Sequence, residues 1–109
     1  MPAPAKPRLF VLAPEPLFRS FFDATAQRRL SRSFRGSRVA GRAITGRLCA
    51  ALADADALVT TWDSPRFPPD LLRLAPRLRV IGHCGGEVKG RFPEPLFARL
   101  TITNAPSVP

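Results

Sequence analysis

The sequence is poor in the side chains that build metal sites and imidazole-based catalytic pairs. Its 109 residues include one histidine, His83, and two cysteines, Cys49 and Cys84, which lie far apart and form no CxxC pair. A closed zinc site needs about four ligands, so this composition argues against structural zinc. Any Cys-His or Ser-His pair would have to use His83, since there is no alternative histidine base.

Long apolar runs are also missing. No run approaches the roughly 20 residues that cross a bilayer, and the apolar stretch 9–13 is shorter than a signal-peptide core of about 7 residues. We therefore expect a cytoplasmic protein with no membrane partner. The length, with 45% hydrophobic and 23% charged residues, predicts one folded domain. Residues 1–7, which include three prolines, are expected to form a disordered lead.

Acidic residues are scarce: 8 Asp and Glu oppose 17 Lys and Arg, which gives a net charge of +9. Most of the excess is arginine in the segment 28–47. Arginine matches phosphate oxygens, so a stand-alone basic α/β module that binds nucleic acid or another phosphate-bearing partner is one interpretation. The other is a solvated face with the arginine bias of a GC-rich genome. The arginines are not regularly interleaved with aromatic residues and no nucleic-acid motif accompanies them, so we favour the solvated face, and nucleic acid is not the expected partner.

Apolar strands alternate with helical patterns along the chain. Continuous apolar runs predict strands at 8–13, 56–62, 78–83 and 100–104, and a short, weak strand is expected within 31–45. Apolar residues at helical spacing predict helices at 14–30, 48–55, 69–76 and 94–99. This alternation predicts an α/β protein with a doubly wound parallel sheet of about five strands and helices on both faces.

The loop that follows the fourth strand is the best candidate for a binding site. Ligands of such sheets bind beyond the carboxyl ends of the strands. The loop has consecutive glycines, whose backbone amides can turn toward an anion, and the amides of Gly85, Gly86 and Glu87 would hold a carboxylate or phosphate. An ordinary turn explains the glycines equally well. The glycine spacing does not give GxGxxG, so this is not a dinucleotide fingerprint.

Two residues of this strand end carry reactive side chains. Cys84 is a candidate nucleophile, but we favour a small apolar residue at the end of a buried strand. For His83 we favour a pocket or strand-end role over catalysis. Two further loops qualify as parts of a site, 13–15 and 62–64. Trp62, Asp63 and Ser64 could line a pocket, although an aromatic strand end and a helix N-cap explain them as well.

The order of several segments resembles the D-isomer-specific 2-hydroxyacid dehydrogenases, the NAD-dependent family that includes phosphoglycerate dehydrogenase and formate dehydrogenase. The resemblance covers about residues 8–106 and is strongest from Ala53 onward. It rests on Ala55-Asp56-Ala57-Leu58-Val59, Leu71-Leu72, Ala75-Pro76-Arg77-Leu78-Arg79-Val80-Ile81-Gly82, the glycine loop and Leu100-Thr101-Ile102-Thr103-Asn104-Ala105-Pro106.

The resemblance implies a flavodoxin-like, three-layer αβα substrate-binding domain, here partial, over residues 8–106. Its ligand would be a small 2-hydroxy or 2-keto acid, and its substrate-binding residues would be His83, Cys84, Gly85, Gly86 and Glu87. Asn104 and Pro106 match the family's hinge, which makes 107–109 a truncated connection to a cofactor domain. Glu87 replaces a glycine of the family pattern and Lys89 replaces an aspartate, and a negative side chain beside a carboxylate site would repel the ligand unless it points away.

The resemblance also implies that this chain lacks the family's cofactor-binding and catalytic residues. In the family, the cofactor loop, the substrate-pairing arginine and the glutamate–histidine pair lie after the segment matched here. We therefore expect that this chain alone has no catalytic residues, binds neither NAD nor NADP, and is inactive without a cofactor domain supplied in cis or in trans. A fragment of this kind is expected to leave an apolar face of its sheet uncovered.

Overall fold

Five parallel strands form one sheet in the computed structural model, which describes residues 6–39, 44–85 and 92–105. The sheet order is β2-β1-β3-β4-β5, and every neighbouring pair is parallel. This is the flavodoxin-like order, so the predicted fold class is confirmed. The strands are β1 (Arg8–Leu12), β2 (Arg35–Arg38), β3 (Ala57–Thr60), β4 (Val80–Cys84) and β5 (Thr101–Ala105).

Helices connect successive strands on both faces of the sheet. They are α1 (Glu15–Phe21), α2 (Ala24–Ser33), α3 (Gly46–Ala53), α4 (Leu71–Leu74) and α5 (Glu94–Arg99). The prediction of a single helix over 14–30 is wrong, because the helix is interrupted between α1 and α2. Phe22 adopts an extended backbone there, and the Asp23 carboxylate caps α2 by accepting a hydrogen bond from the Ala26 N–H at 2.8 Å.

Two apolar clusters lie on opposite faces of the sheet. On the first face, α3, α4 and α5 pack on Leu12, Leu58 and Ile81, which are at most 1% exposed. On the second face, α1 and α2 pack on the alternate residues of β1 and β3, including Val11 and Val59. Because adjacent residues of a strand point to opposite faces, strands buried on both sides are mostly apolar, as residues 9–12 of β1 and 57–59 of β3 are. The three layers match the prediction.

The two edge strands are more polar than the central ones. All four residues of β2 are exposed, which explains why only a weak strand was predictable from its sequence. At the other edge, Thr101 and Thr103 of β5 lie on the second face and are exposed. The positions exposed there are threonines, so this part of the sheet is not the bare apolar surface that was expected. No helix among the described residues is long and apolar enough to cross a membrane.

Ion pairs fix the amino ends of the strands. The Arg8 guanidinium lies 3.0 Å from the Asp54 carboxylate, and the Arg8 N–H donates to Asp56 at 2.8 Å. Arg77 reaches the same two carboxylates at 3.6 and 3.5 Å. These contacts connect the start of β1 to the turn before β3, and they occupy both acidic side chains of that turn.

Candidate functional site at the carboxyl edge of the sheet

β1 and β3 are neighbours in the sheet, but the chain leaves their carboxyl ends toward opposite faces. After β1 it continues into α1 and α2 on the second face, and after β3 it continues into α4 on the first face. Such a switch point opens a crevice in doubly wound sheets. Ser64 ties the two ends together. Its hydroxyl, which is buried, donates to the Leu12 carbonyl and accepts from the Thr61 N–H at 2.9 Å. Ser64 therefore holds a turn in place and is not a helix N-cap, since the next helix begins at Leu71.

Trp62 stands at the rim of this crevice and covers the end of β4. Its indole is 55% exposed and makes an edge-on contact with Phe21, with ring centroids 5.2 Å apart. The other side of the indole lies against Gly85. A Cβ at position 85 would come within 3.0 Å of Trp62 Cζ3 and closer still to Cε3, so no side chain fits there. The sequence contains both residues, but no local pattern relates two positions so far apart.

Gly85 is where the chain leaves the sheet. Its φ of +120° lies in the region that L side chains rarely adopt. Two independent constraints, the backbone conformation and the contact with Trp62, therefore require glycine at this position. A turn of this kind at the carboxyl end of a strand is the geometry that allows following backbone amides to face an anion.

A row of polar side chains crosses the first face just below the edge. The strand register places Thr60, His83 and Asn104 side by side on β3, β4 and β5. Thr60 Oγ1 and His83 Nδ1 share a hydrogen bond of 2.8 Å, and both side chains are at most 2% exposed. The His83 ring also packs edge-on against Phe92, with centroids 5.6 Å apart. The histidine is thus held in one orientation within the apolar layer.

His83 and Cys84 cannot act as a catalytic pair with each other. They are adjacent residues of β4, so their side chains point to opposite faces. The Cys84 thiol lies in the cluster of the second face, and burial raises its pKa above the usual value of 9.0. A buried, protonated thiol is a poor nucleophile. This agrees with a small apolar residue at a strand end, the role favoured from the sequence.

Part of the predicted site lies outside the described residues, namely Gly86, Glu87, Lys89 and Pro106. Of the described members, Gly85 is at the edge, the His83 side chain is buried, and Asn104 is exposed near the end of β5. Their roles in substrate binding and as a hinge stay predictions, as does the division into residues 1–7, 8–106 and 107–109. Within 6–39, 44–85 and 92–105, no group of three or more His, Cys, Asp or Glu side chains could hold a metal ion.

Comparison with known proteins supports the fold. The chain is similar to the crystal structure of a phosphoglycerate oxidoreductase from Rhizobium etli, with a TM-score of 0.68 and 23% sequence identity. The similarity covers 89% of this chain and 30% of that chain, so the present chain spans less than a third of that protein. No family model matches the sequence, and no curated protein matches it significantly. At this level of identity the likeness shows a shared α/β fold.

Proposed function

We propose that this chain is the substrate-binding portion of an NAD-dependent D-2-hydroxyacid dehydrogenase and holds the carboxylate of a small 2-hydroxy or 2-keto acid. The observation that carries the proposal is the turn at Gly85, which leaves the sheet at its carboxyl edge under the indole of Trp62. The order of the sequence segments and the structural likeness to a phosphoglycerate oxidoreductase support it.

The residues at the end of β4 would bind the acid and leave its oxidation to another unit. Backbone amides that follow Gly85 would donate to the carboxylate, and such charge-assisted hydrogen bonds contribute about 1.5–3 kcal/mol each. Trp62 would shield one side of the ligand from water. Two or three such hydrogen bonds, offset by the cost of association, correspond to a Kd on the order of 1 mM, or about −4 kcal/mol.

The described residues do not fit a nicotinamide dinucleotide. In dinucleotide-binding folds the pyrophosphate sits at the helix that follows the first strand. Here α1 begins with Glu15, and it has prolines at positions 14 and 16, which have no N–H to donate. A carboxylate at this helix start would repel a pyrophosphate. A separate unit would therefore bind the cofactor.

Trp62 offers a direct test. It is the only tryptophan, and the chain contains no tyrosine, so intrinsic fluorescence excited at 295 nm comes from the candidate site alone. We expect D-glycerate to change this fluorescence saturably, whereas glyceramide, which lacks the carboxylate charge, has little effect. At about ten times its Kd the acid should stabilise the fold by roughly 1.4 kcal/mol.

Two variants distinguish loss of ligand binding at the carboxyl edge from a nonspecific effect of substitution elsewhere in the sheet. Gly85→Ala should weaken the binding of D-glycerate at least tenfold, while Arg79→Gln, at the amino end of the same sheet, should leave it within twofold. NAD should produce no shift in melting temperature. The proposal fails if no 2-hydroxy or 2-keto acid gives a saturable change up to 10 mM, or if the amide binds as well as the acid.

A further inference from the structure

An exposed surface near the amino ends of β1 and β2 is strongly basic. It consists of five side chains from the lead into β1, from α2 and from the start of β2, and we call it the basic face: Lys6, Arg28, Arg29, Arg32 and Arg35. Three chain segments separated in sequence meet here. The Arg35 N–H donates to the Pro7 carbonyl at 2.9 Å, and Lys6 Nζ donates to the Ser31 carbonyl at 3.0 Å.

Four acidic residues of the described chain are engaged away from the basic face. Asp54 and Asp56 pair with Arg8 and Arg77, as noted above. Glu15 pairs with Arg19 at 2.6 Å and with Arg38 at 3.7 Å. The Asp23 carboxylate caps α2. None of the ion pairs found among residues 6–39, 44–85 and 92–105 involves a cation of the basic face.

The side chains of the basic face are also partly held in place. Arg35 Nε donates to the Lys6 carbonyl at 3.1 Å, and Arg28 Nη2 lies 3.3 Å from Thr25 Oγ1. Arg28 and Arg32 are four residues apart and so lie on the same side of α2. These arginines are exposed, and a guanidinium carries five N–H groups in a forked arrangement that matches phosphate oxygens. The sequence alone favoured a solvated face; the segregation of charge and this ordering favour a binding surface.

From these observations we propose that the basic face binds the phosphate backbone of a nucleic-acid duplex without reading its sequence. The only large hydrophobic side chains exposed among the described residues are Trp62 and Phe97, and neither belongs to this face. It therefore has no aromatic platform for stacking unpaired bases and no apolar side chains to enter a lipid interface. What it offers is positive charge alone, which suits duplex phosphates.

The basic face is separate from the carboxyl-edge site. Arg35 begins β2, and Lys6 precedes β1, so both lie at the amino ends of parallel strands. Gly85 and Ser64 lie at the opposite ends. The two proposals therefore rest on different residues and can fail independently.

The test is a salt titration with the full chain and a fluorescent 20-base-pair DNA duplex, followed by anisotropy. Five phosphate contacts predict a slope of log affinity against log salt of about −4.5, which is a loss of roughly 500-fold between 50 and 200 mM salt. In the triple variant R28Q/R29Q/R32Q the slope should fall in magnitude by about 3.

A matched control keeps the change in net charge the same. R73Q/R79Q/R99Q removes three exposed arginines from other parts of the surface and should retain a slope of about −4.5 with affinity within threefold. Circular dichroism establishes that both variants are folded. Equal weakening by the two triple variants would overturn the proposal, since it would show a response to net charge. Tighter binding to single-stranded DNA, or to vesicles containing 30% anionic lipid, than to the duplex would also overturn the proposal.

Discussion

Replacing Gly85 with alanine tests whether the contact with Trp62 and the positive φ together define the carboxyl edge. The backbone conformation should cost about 1–3 kcal/mol for a residue with a Cβ. The overlap with the indole should add about 1–2 kcal/mol, at the low end for an overpacked site because Trp62 is half-exposed and can move outward. We expect a loss of about 2–5 kcal/mol in the free energy of unfolding.

A double-mutant cycle with Trp62→Ala divides this loss into its two causes. Without the indole, Gly85→Ala should cost only the backbone part, so the coupling energy should be about 1–2 kcal/mol. Unfolding in urea, followed by far-ultraviolet circular dichroism, serves all four proteins, including those that lack tryptophan. In the single variant Gly85→Ala, the displaced indole should also shift its emission to longer wavelength.

The reasoning is refuted if Gly85→Ala destabilises the chain by less than about 0.5 kcal/mol, which is the size of an ordinary surface substitution. It is also refuted if the cost is the same with and without Trp62. In that case the backbone alone would require glycine, and the indole would not be packed against position 85 in solution.

Two further predictions concern the same edge. Ser64→Ala removes the hydroxyl that joins the Leu12 carbonyl to the Thr61 N–H, so it should destabilise the fold by about 2–3 kcal/mol in urea unfolding, whereas Ser33→Ala, an exposed helix position, should change little. Cys84 should react with iodoacetamide much more slowly than the half-buried Cys49, measured by mass spectrometry of peptides at pH 8. The raised pKa of Cys84 also means that the folded state holds the thiol proton more tightly than the unfolded chain does. The associated stability is present below pH 9 and is lost as pH rises beyond it, a loss that Cys84→Ala should abolish.

The central sheet was predictable because burial on both faces favours apolar residues at nearly every position. Leu9, Val11 and Leu58 are such residues, and no other element tolerates so short and continuous a run. The break in the first helical region was harder to predict. Phe18, Phe21 and Phe22 continue one apolar stripe because α1 and α2 pack on the same face, and only Asp23, a good N-cap residue, indicates the interruption.

The end of β4 at Gly85 was predictable from the sequence, but the contacts around it were not. Glycines after a strand indicated the loop, since few other residues permit such a turn. The contact between Trp62 and Gly85 and the bridge from Ser64 to Leu12 join residues 23 and 52 positions apart, respectively. Contacts of this kind depend on the order in which strands pair, and a local sequence pattern does not contain that information.

The exposed edge strand β2 bears on how copies of the chain meet at high concentration. A short strand at the border of a sheet presents unpaired backbone groups to which another copy could add. Here Arg35 and Arg38 stand at its two ends, so alignment of two such strands would bring like charges together. That repulsion would oppose extension of the sheet from one molecule to the next at this border. Because ions screen that repulsion, protection against self-association at this border weakens as ionic strength rises.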